Sequence, residues 1–188
     1  MVLSRLREET RAQHGRVEEL LALLSPAMTV SGYCRVLQAM HAAWLPLEST
    51  LEKHCPAQYA ELWRGRQRAH RLQSDLAALG CERDANRPAP FRPATLPDLT
   101  TAAAWLGALY VTEGSTLGGQ QISRHLERKF GWSAGRGHTF FLGYGERTGE
   151  RWRAVQQALE APGLDGNQVV GGAHQTFSYL EVSFADRL

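Results

Sequence analysis

The chain has 188 residues, 43% of them hydrophobic and 21% charged, and a formal net charge of only +2. That length fits a single domain over 1–188 with a core large enough to enclose a ligand, and so small a net charge excludes a nucleic-acid binder. No run approaches the ~20 apolar residues of a membrane span, and the opening Met1-Val-Leu-Ser-Arg-Leu-Arg-Glu-Glu is charged and amphipathic without a signal-peptide core, so a cytoplasmic protein is expected.

Lysine occurs only at Lys53 and Lys129. Arginine therefore carries most of the positive charge, and its planar fork suits clamping of carboxylates. Cys34, Cys55 and Cys81 are odd in number and lack a C-x-x-C spacing, which predicts neither a disulfide framework nor a structural zinc site.

From Ser4, a suitable N-cap, Leu6, Thr10, Gln13 or His14, Val17, Leu20, Leu21 and Leu24 recur at helical spacing up to Pro26. His14 lies on or beside this apolar seam, with Arg7 and Arg11 on roughly the same side. The spacing predicts an imidazole facing the core or a pocket; a core histidine bonded to a carbonyl fits it as well as a ligand does.

A second helix, capped by Thr29 or Ser31, carries the stripe Tyr33, Val36, Leu37, Met40, Trp44, Leu47 and Leu51, with a bend expected at Pro46. A third runs through Tyr59, Leu62, Trp63, Leu72, Leu76 and Leu79 to a stop at Gly80. Its Arg64, Arg66, Arg68 and Arg71 read as a solvated polar face, with an acidic partner protein as the alternative. Pro88, Pro90, Pro93 and Pro97 make residues 81–97 an extended crossover.

Asp98 or Thr100 then caps a long helix with Leu99, Ala103, Leu106, Leu109, Tyr110, Ile122, Leu126 and Phe130 on its apolar side, ended by Gly131. After a connection over 138–146, two helices near 148–160 and 166–187 finish the chain, the first with Trp152, Val155 and Leu159, the second with Val169, Val170, Ala173, Phe177, Leu180 and Phe184. No strand-like alternation is sustained. The fold class is all-α.

The long helix carries Gly114, Gly118 and Gly119, each costing roughly 1 kcal/mol relative to alanine. Gly114-x-x-x-Gly118 suits close helix packing, while the pair Gly118-Gly119 invites a kink on which a flat ligand could lie. The chain holds no G-x-x-x-x-G-K-[ST] loop, no G-x-G-x-x-G after a strand, no H-E-x-x-H and no G-x-S-x-G elbow. What remains is an inward histidine, nearby arginines and a glycine-rich helix. A haem uses all three: imidazole for its iron, guanidinium groups for its propionates, and bare backbone over its other face.

Leu6-Arg-Glu-Glu-Thr-Arg-Ala-Gln-His14-Gly-Arg-Val-Glu18 resembles the opening helix of heme oxygenases, Tyr110-Val-Thr-Glu-Gly-Ser-Thr-Leu-Gly-Gly-Gln120 their distal helix in the type that accompanies bacteriophytochromes, and Ala173-His-Gln-Thr-Phe-Ser-Tyr-Leu-Glu181 their last core helix. The resemblance implies a single-domain helical bundle with haem between the first helix and a glycine-kinked distal helix. It implies His14 as the iron ligand with Glu18 as acceptor beside it, and Arg7, Arg11 and Arg153 at the propionates. Tyr110 and Phe177 would be pocket walls, and Gly114, Ser115, Gly118 and Gly119 the catalytic turn over the iron. Where animal-type members have a distal aspartate that orders water, this chain has Ser115.

The implied reaction converts haem, both cofactor and substrate, with dioxygen and an external electron donor to biliverdin, carbon monoxide and ferrous iron. A ferredoxin or flavoprotein reductase would supply the electrons, and a bacteriophytochrome could accept the bilin. A haem or bilin carrier without turnover, a thiamine-degrading or quinone-forming enzyme of the same fold, and a helical interaction module are the competing readings. A non-haem enzyme would not need His14 on the pocket face.

Overall fold

The computed structural model describes residues 1–81 and 94–188. Most of the expected crossover over 81–97 lies outside the described residues; Ala94–Thr100 is neither helix nor strand. Among the described residues there is no strand, and the chain forms α1 (Val2–Glu9), α2 (Arg11–Leu21), α3 (Val30–Lys53), α4 (Ala60–Trp63), α5 (Ala69–Ala78), α6 (Ala102–Phe130), α7 (Thr148–Leu159) and α8 (Gly166–Ala185). The all-α expectation holds. None of these helices is long and apolar enough to cross a membrane.

The single first helix expected from the sequence is two. Thr10 Oγ1 donates to the Leu6 carbonyl at 2.6 Å, an alternative to regular helix that short hydroxylated side chains offer, and α1 gives way to α2 there. The segment stops at Leu21 because Ala22 turns left-handed at φ 44°, so Leu24 is exposed and not part of the stripe. Helix α3 starts where Thr29 Oγ1 accepts from the Gly32 amide at 3.0 Å, and its seven predicted core residues from Tyr33 to Leu51 are all buried.

The third expected helix is also divided. Between α4 and α5 Gly65 adopts φ +65°, and the chain turns two of its arginines inward: Arg66 and Arg68 are 4% and 1% exposed. The solvated-face expectation is thus wrong for half of the run. Glu48 of α3 makes this turn possible, accepting from the amides of Arg68 (2.7 Å) and Ala69 (3.0 Å) at the start of α5. Its carboxyl is raised above its ordinary range, because burial outweighs those two hydrogen bonds.

The cysteine expectation is also corrected. Cys34 and Cys81 form a disulfide, with Cα atoms 5.7 Å apart, that ties α3 to the end of α5, and Cys55 is free. Two cysteines 47 residues apart carry no spacing signature; they meet because α3 and α5 pack together.

Thr101, and not Asp98 or Thr100, caps α6, its hydroxyl accepting from the Ala104 amide. Asp98 instead accepts from Thr100. The helix then runs unbroken through Gly114, Gly118 and Gly119 to a left-handed Gly131. Its closest neighbour is α8, and two other glycines make that contact: a Cβ on Gly107 would stand 2.8 Å from the Ala173 nitrogen, and one on Gly172 2.7 Å from the Ala104 carbonyl carbon. Backbone touches backbone there. With α2 packed on α8 as well, α8 is the floor that both site-bearing helices share.

Candidate functional site

His14 stands on α2 with its side chain 55% exposed, so of the two surroundings expected from the apolar seam, core or pocket, it is not in the core. Its Nδ1 lies 3.4 Å from Glu18 Oε2 one turn on, and its ring meets the edge of buried Phe177 of α8, centroids 6.1 Å apart. A carboxylate beside Nδ1 favours the tautomer with its proton there, which leaves Nε2 available as a ligand. Gln13 anchors the same turn to α8, bonding the His174 carbonyl at 3.2 Å and Ser178 Oγ at 3.1 Å.

A second group gathers where α1 meets α6. Burial raises the Tyr110 phenol, while its bond to Thr10 and the charge of Arg7 pull it back. The Tyr110 ring lies 5.7 Å from that of Trp152 of α7, and a Cβ on Gly114 would meet the same indole edge at 3.9 Å. Tyr110, Gly114 and Trp152 thus form one wall, with the Arg7 charge close enough to act on the Tyr110 phenol. Arg7 and Arg11 are themselves exposed.

The three distal glycines differ. A Cβ on Gly118 would meet nothing within 4 Å, whereas one on Gly119 would stand 3.0 Å from the Phe141 carbonyl carbon. Gly119 is therefore needed for packing against the connection before α7. Gly118 offers bare, exposed backbone to a ligand.

Ser115 donates to the Thr112 carbonyl at 2.6 Å and accepts from Arg68 Nη2 at 3.0 Å. Behind it lies a polar layer that the sequence did not reveal. Buried Arg66 pairs with buried Glu113, and the Tyr144 hydroxyl donates to Glu113 Oε1 at 2.7 Å. The only available signal was a glutamate on the inner side of a buried helix, which demands a buried cation.

Arg153 is exposed and lines a cleft of about 710 Å³ between α4 and α7, together with Arg64, Arg147 and Arg151. Glu61 pairs with Arg64 and Glu150 with Arg147. The Arg151 guanidinium lies 4.2 Å from the Tyr144 ring centroid.

These residues fit a haem: an imidazole with its outer nitrogen free, a bare glycine face, aromatic walls and exposed arginines. The heme oxygenase family model matches residues 1–186. A protein named heme oxygenase from Xanthomonas campestris pv. campestris (strain 8004) is 34% identical over 156 residues, which cover 81% of this chain and 88% of that relative.

Proposed function

The chain belongs to the heme oxygenase family, and on that premise we propose that, as a single domain over 1–188, it cleaves haem with dioxygen and electrons from a separate donor, giving biliverdin, carbon monoxide and ferrous iron. The observation that carries this reading is the His14–Glu18 pair, which leaves one ring nitrogen of an exposed imidazole for iron. Bound haem supplies the iron at which dioxygen is reduced and the ring that is opened.

The chain's own side chains bind and orient. Arg7 and Arg11 take the propionates, which their forks match bidentately; Arg153 takes part only if a propionate reaches α7. Phe177 supports the His14 ring, Tyr110 and Trp152 wall the pocket, and Gly114 and Gly118 let the macrocycle lie close to the α6 backbone. Gly119 shapes that turn from behind. Ser115 is the polar group of the turn. The pocket thereby limits which meso edge is presented.

The electron donor is a ferredoxin or flavoprotein reductase with an acidic face, docking on the arginine-lined cleft between α4 and α7, where Arg153 has no ion-pair partner among the described residues. Its turnover rate should fall steeply with added salt. In the cytoplasm, the product would serve a bacteriophytochrome, a reading supported by the motif around Gly114 to Gln120.

The test is a haemin titration of wild type and His14→Ala, followed by reductant in air. A saturable Soret band that needs His14 and then decays to a biliverdin spectrum supports the reading. A band without bilin makes the protein a carrier, and no saturable band removes haem altogether.

A further inference from the structure

Arg68 is a cation in an unusual position. It is 1% exposed, and its guanidinium lies 4.5 Å from the Phe140 ring centroid, 5.8 Å from that of Trp44 and 5.9 Å from that of Tyr144. Among the described residues no carboxylate pairs with it, and its buried Nε has no hydrogen-bond partner. Buried Glu48 accepts from the backbone amides of Arg68 and Ala69 and makes no hydrogen bond with the guanidinium, although its charge and that of Arg68 act on each other.

Its neighbour Arg66 is different, being neutralised by Glu113. A buried charge without a direct ion pair carries a desolvation cost, and the more distant Glu48 charge and the ring faces return only part of it. A methionine could pack against the same three rings without the cost. Stability alone therefore does not account for an arginine here.

What the guanidinium does touch is one turn of α6. Nη2 donates to the Thr112 carbonyl at 2.7 Å and to Ser115 Oγ at 3.0 Å, while Ser115 Oγ donates its own proton to the Thr112 carbonyl. A serine hydroxyl has one proton and two acceptor sites. Here the proton and one acceptor site are used, which leaves the hydroxyl able only to accept. Ser115 stands one turn before Gly118, on the same side of the helix, where the backbone is open.

We propose that Arg68 is a positioning residue for the haem reaction: it locks Ser115 Oγ as a one-way acceptor beside the open Gly118 turn, so that a water held there turns its second proton toward the haem side. The inference rests on the haem reading above and deepens it. No proton leaves Arg68 or Ser115; both act by fixing the direction of a hydrogen bond.

The test uses wild type, Ser115→Ala, Arg68→Met, the double variant and Arg68→Lys. Haemin affinity, melting temperature and the rate of bilin formation are measured for each. Ser115→Ala and Arg68→Met should each slow bilin formation by about tenfold with haemin affinity within about threefold of wild type. The double variant should be no slower than the slower single one, because the two groups act as a unit. Arg68→Lys, which keeps the charge and a donor, should recover most of the rate.

A further readout is the midpoint pH of the acid–alkaline colour change of the haemin complex. It should rise by about one pH unit in Arg68→Met, since loss of a nearby positive charge makes proton loss harder. An unmoved midpoint, or rate losses that multiply in the double variant, would overturn the proposal. If Arg68→Met does not fold, Ser115→Ala decides: turnover at the wild-type rate sinks the idea. A wild type that forms no Soret band removes the haem reading itself, and this inference with it.

Discussion

Gly119 and the Phe141 carbonyl touch: a Cβ on the glycine would lie 3.0 Å from the carbonyl carbon and 3.3 Å from Phe141 Cα. One residue earlier, a Cβ on Gly118 would meet nothing within 4 Å. The sequence offers these glycines as a pair, but the helix turns them to different surroundings.

Gly119→Ala should therefore destabilise the apoprotein by about 1–3 kcal/mol through overpacking. Gly118→Ala should stabilise it by up to about 1 kcal/mol through helix propensity, yet weaken haemin binding or shift the product isomer. Urea unfolding and a Soret titration on the same two variants separate the effects. Equal stability losses would show that both glycines are needed only for packing.

How much of this site was legible follows from the same helix. Spacing singled out Gly114, Gly118 and Gly119 as places where a helix leaves its backbone bare, while Tyr110 was placed at a pocket wall by the family resemblance and not by its spacing. It did not identify Gly107 and Gly172, whose role appears only when α6 and α8 cross. Arg66 and Arg68 were misread for a related reason. A run of arginines on a helical wheel looks solvated, but Gly65 interrupts the helix and sends two of the side chains toward Glu113, Thr112 and Ser115.

Arg66 and Glu113 are both buried, and Tyr144 and the Arg151 carbonyl add further bonds to the pair. Removing one partner leaves an uncompensated buried charge, so Glu113→Leu should cost about 3–5 kcal/mol. Combining it with Arg66→Met should recover a large part of the loss. Denaturant midpoints decide this, and a double variant as unstable as the sum of the two singles would count against the pairing.

Tyr33 is fully buried, its hydroxyl donating to the Gly137 carbonyl at 2.8 Å. Burial, reinforced by the charge of Asp75, pushes its phenol far above its ordinary value. The folded chain then holds a proton that the unfolded chain releases near pH 10. The folded state binds more protons above that point, so stability contributed by Tyr33 is present below pH 10 and falls as pH rises beyond it. Urea midpoints between about pH 8 and 11 should decline in wild type. Tyr33→Phe should lose about 1 kcal/mol at neutral pH, from the unpaired carbonyl, and show a shallower alkaline decline.

The Cys34–Cys81 bridge closes a segment of 47 residues that includes Gly65, Arg66 and Arg68. By the chain-entropy relation such a loop is worth about 4 kcal/mol when oxidised, a large share of the 5–15 kcal/mol that folded domains usually possess. The cytoplasmic location proposed above would put that contribution at risk, since thiols there are kept reduced. The two statements meet in one measurement: unfolding of wild type with and without a thiol reductant, beside Cys34→Ser. Reduction should lower stability by the same amount as the substitution, and the substitution should remove the sensitivity to reductant. The segment also carries the arginine that fixes Ser115, so loosening it should slow bilin formation as well as lower the midpoint. If reductant changes neither, the contacts of α3 with α5 hold that segment by themselves, and the proposed haem site is indifferent to the redox state of its surroundings.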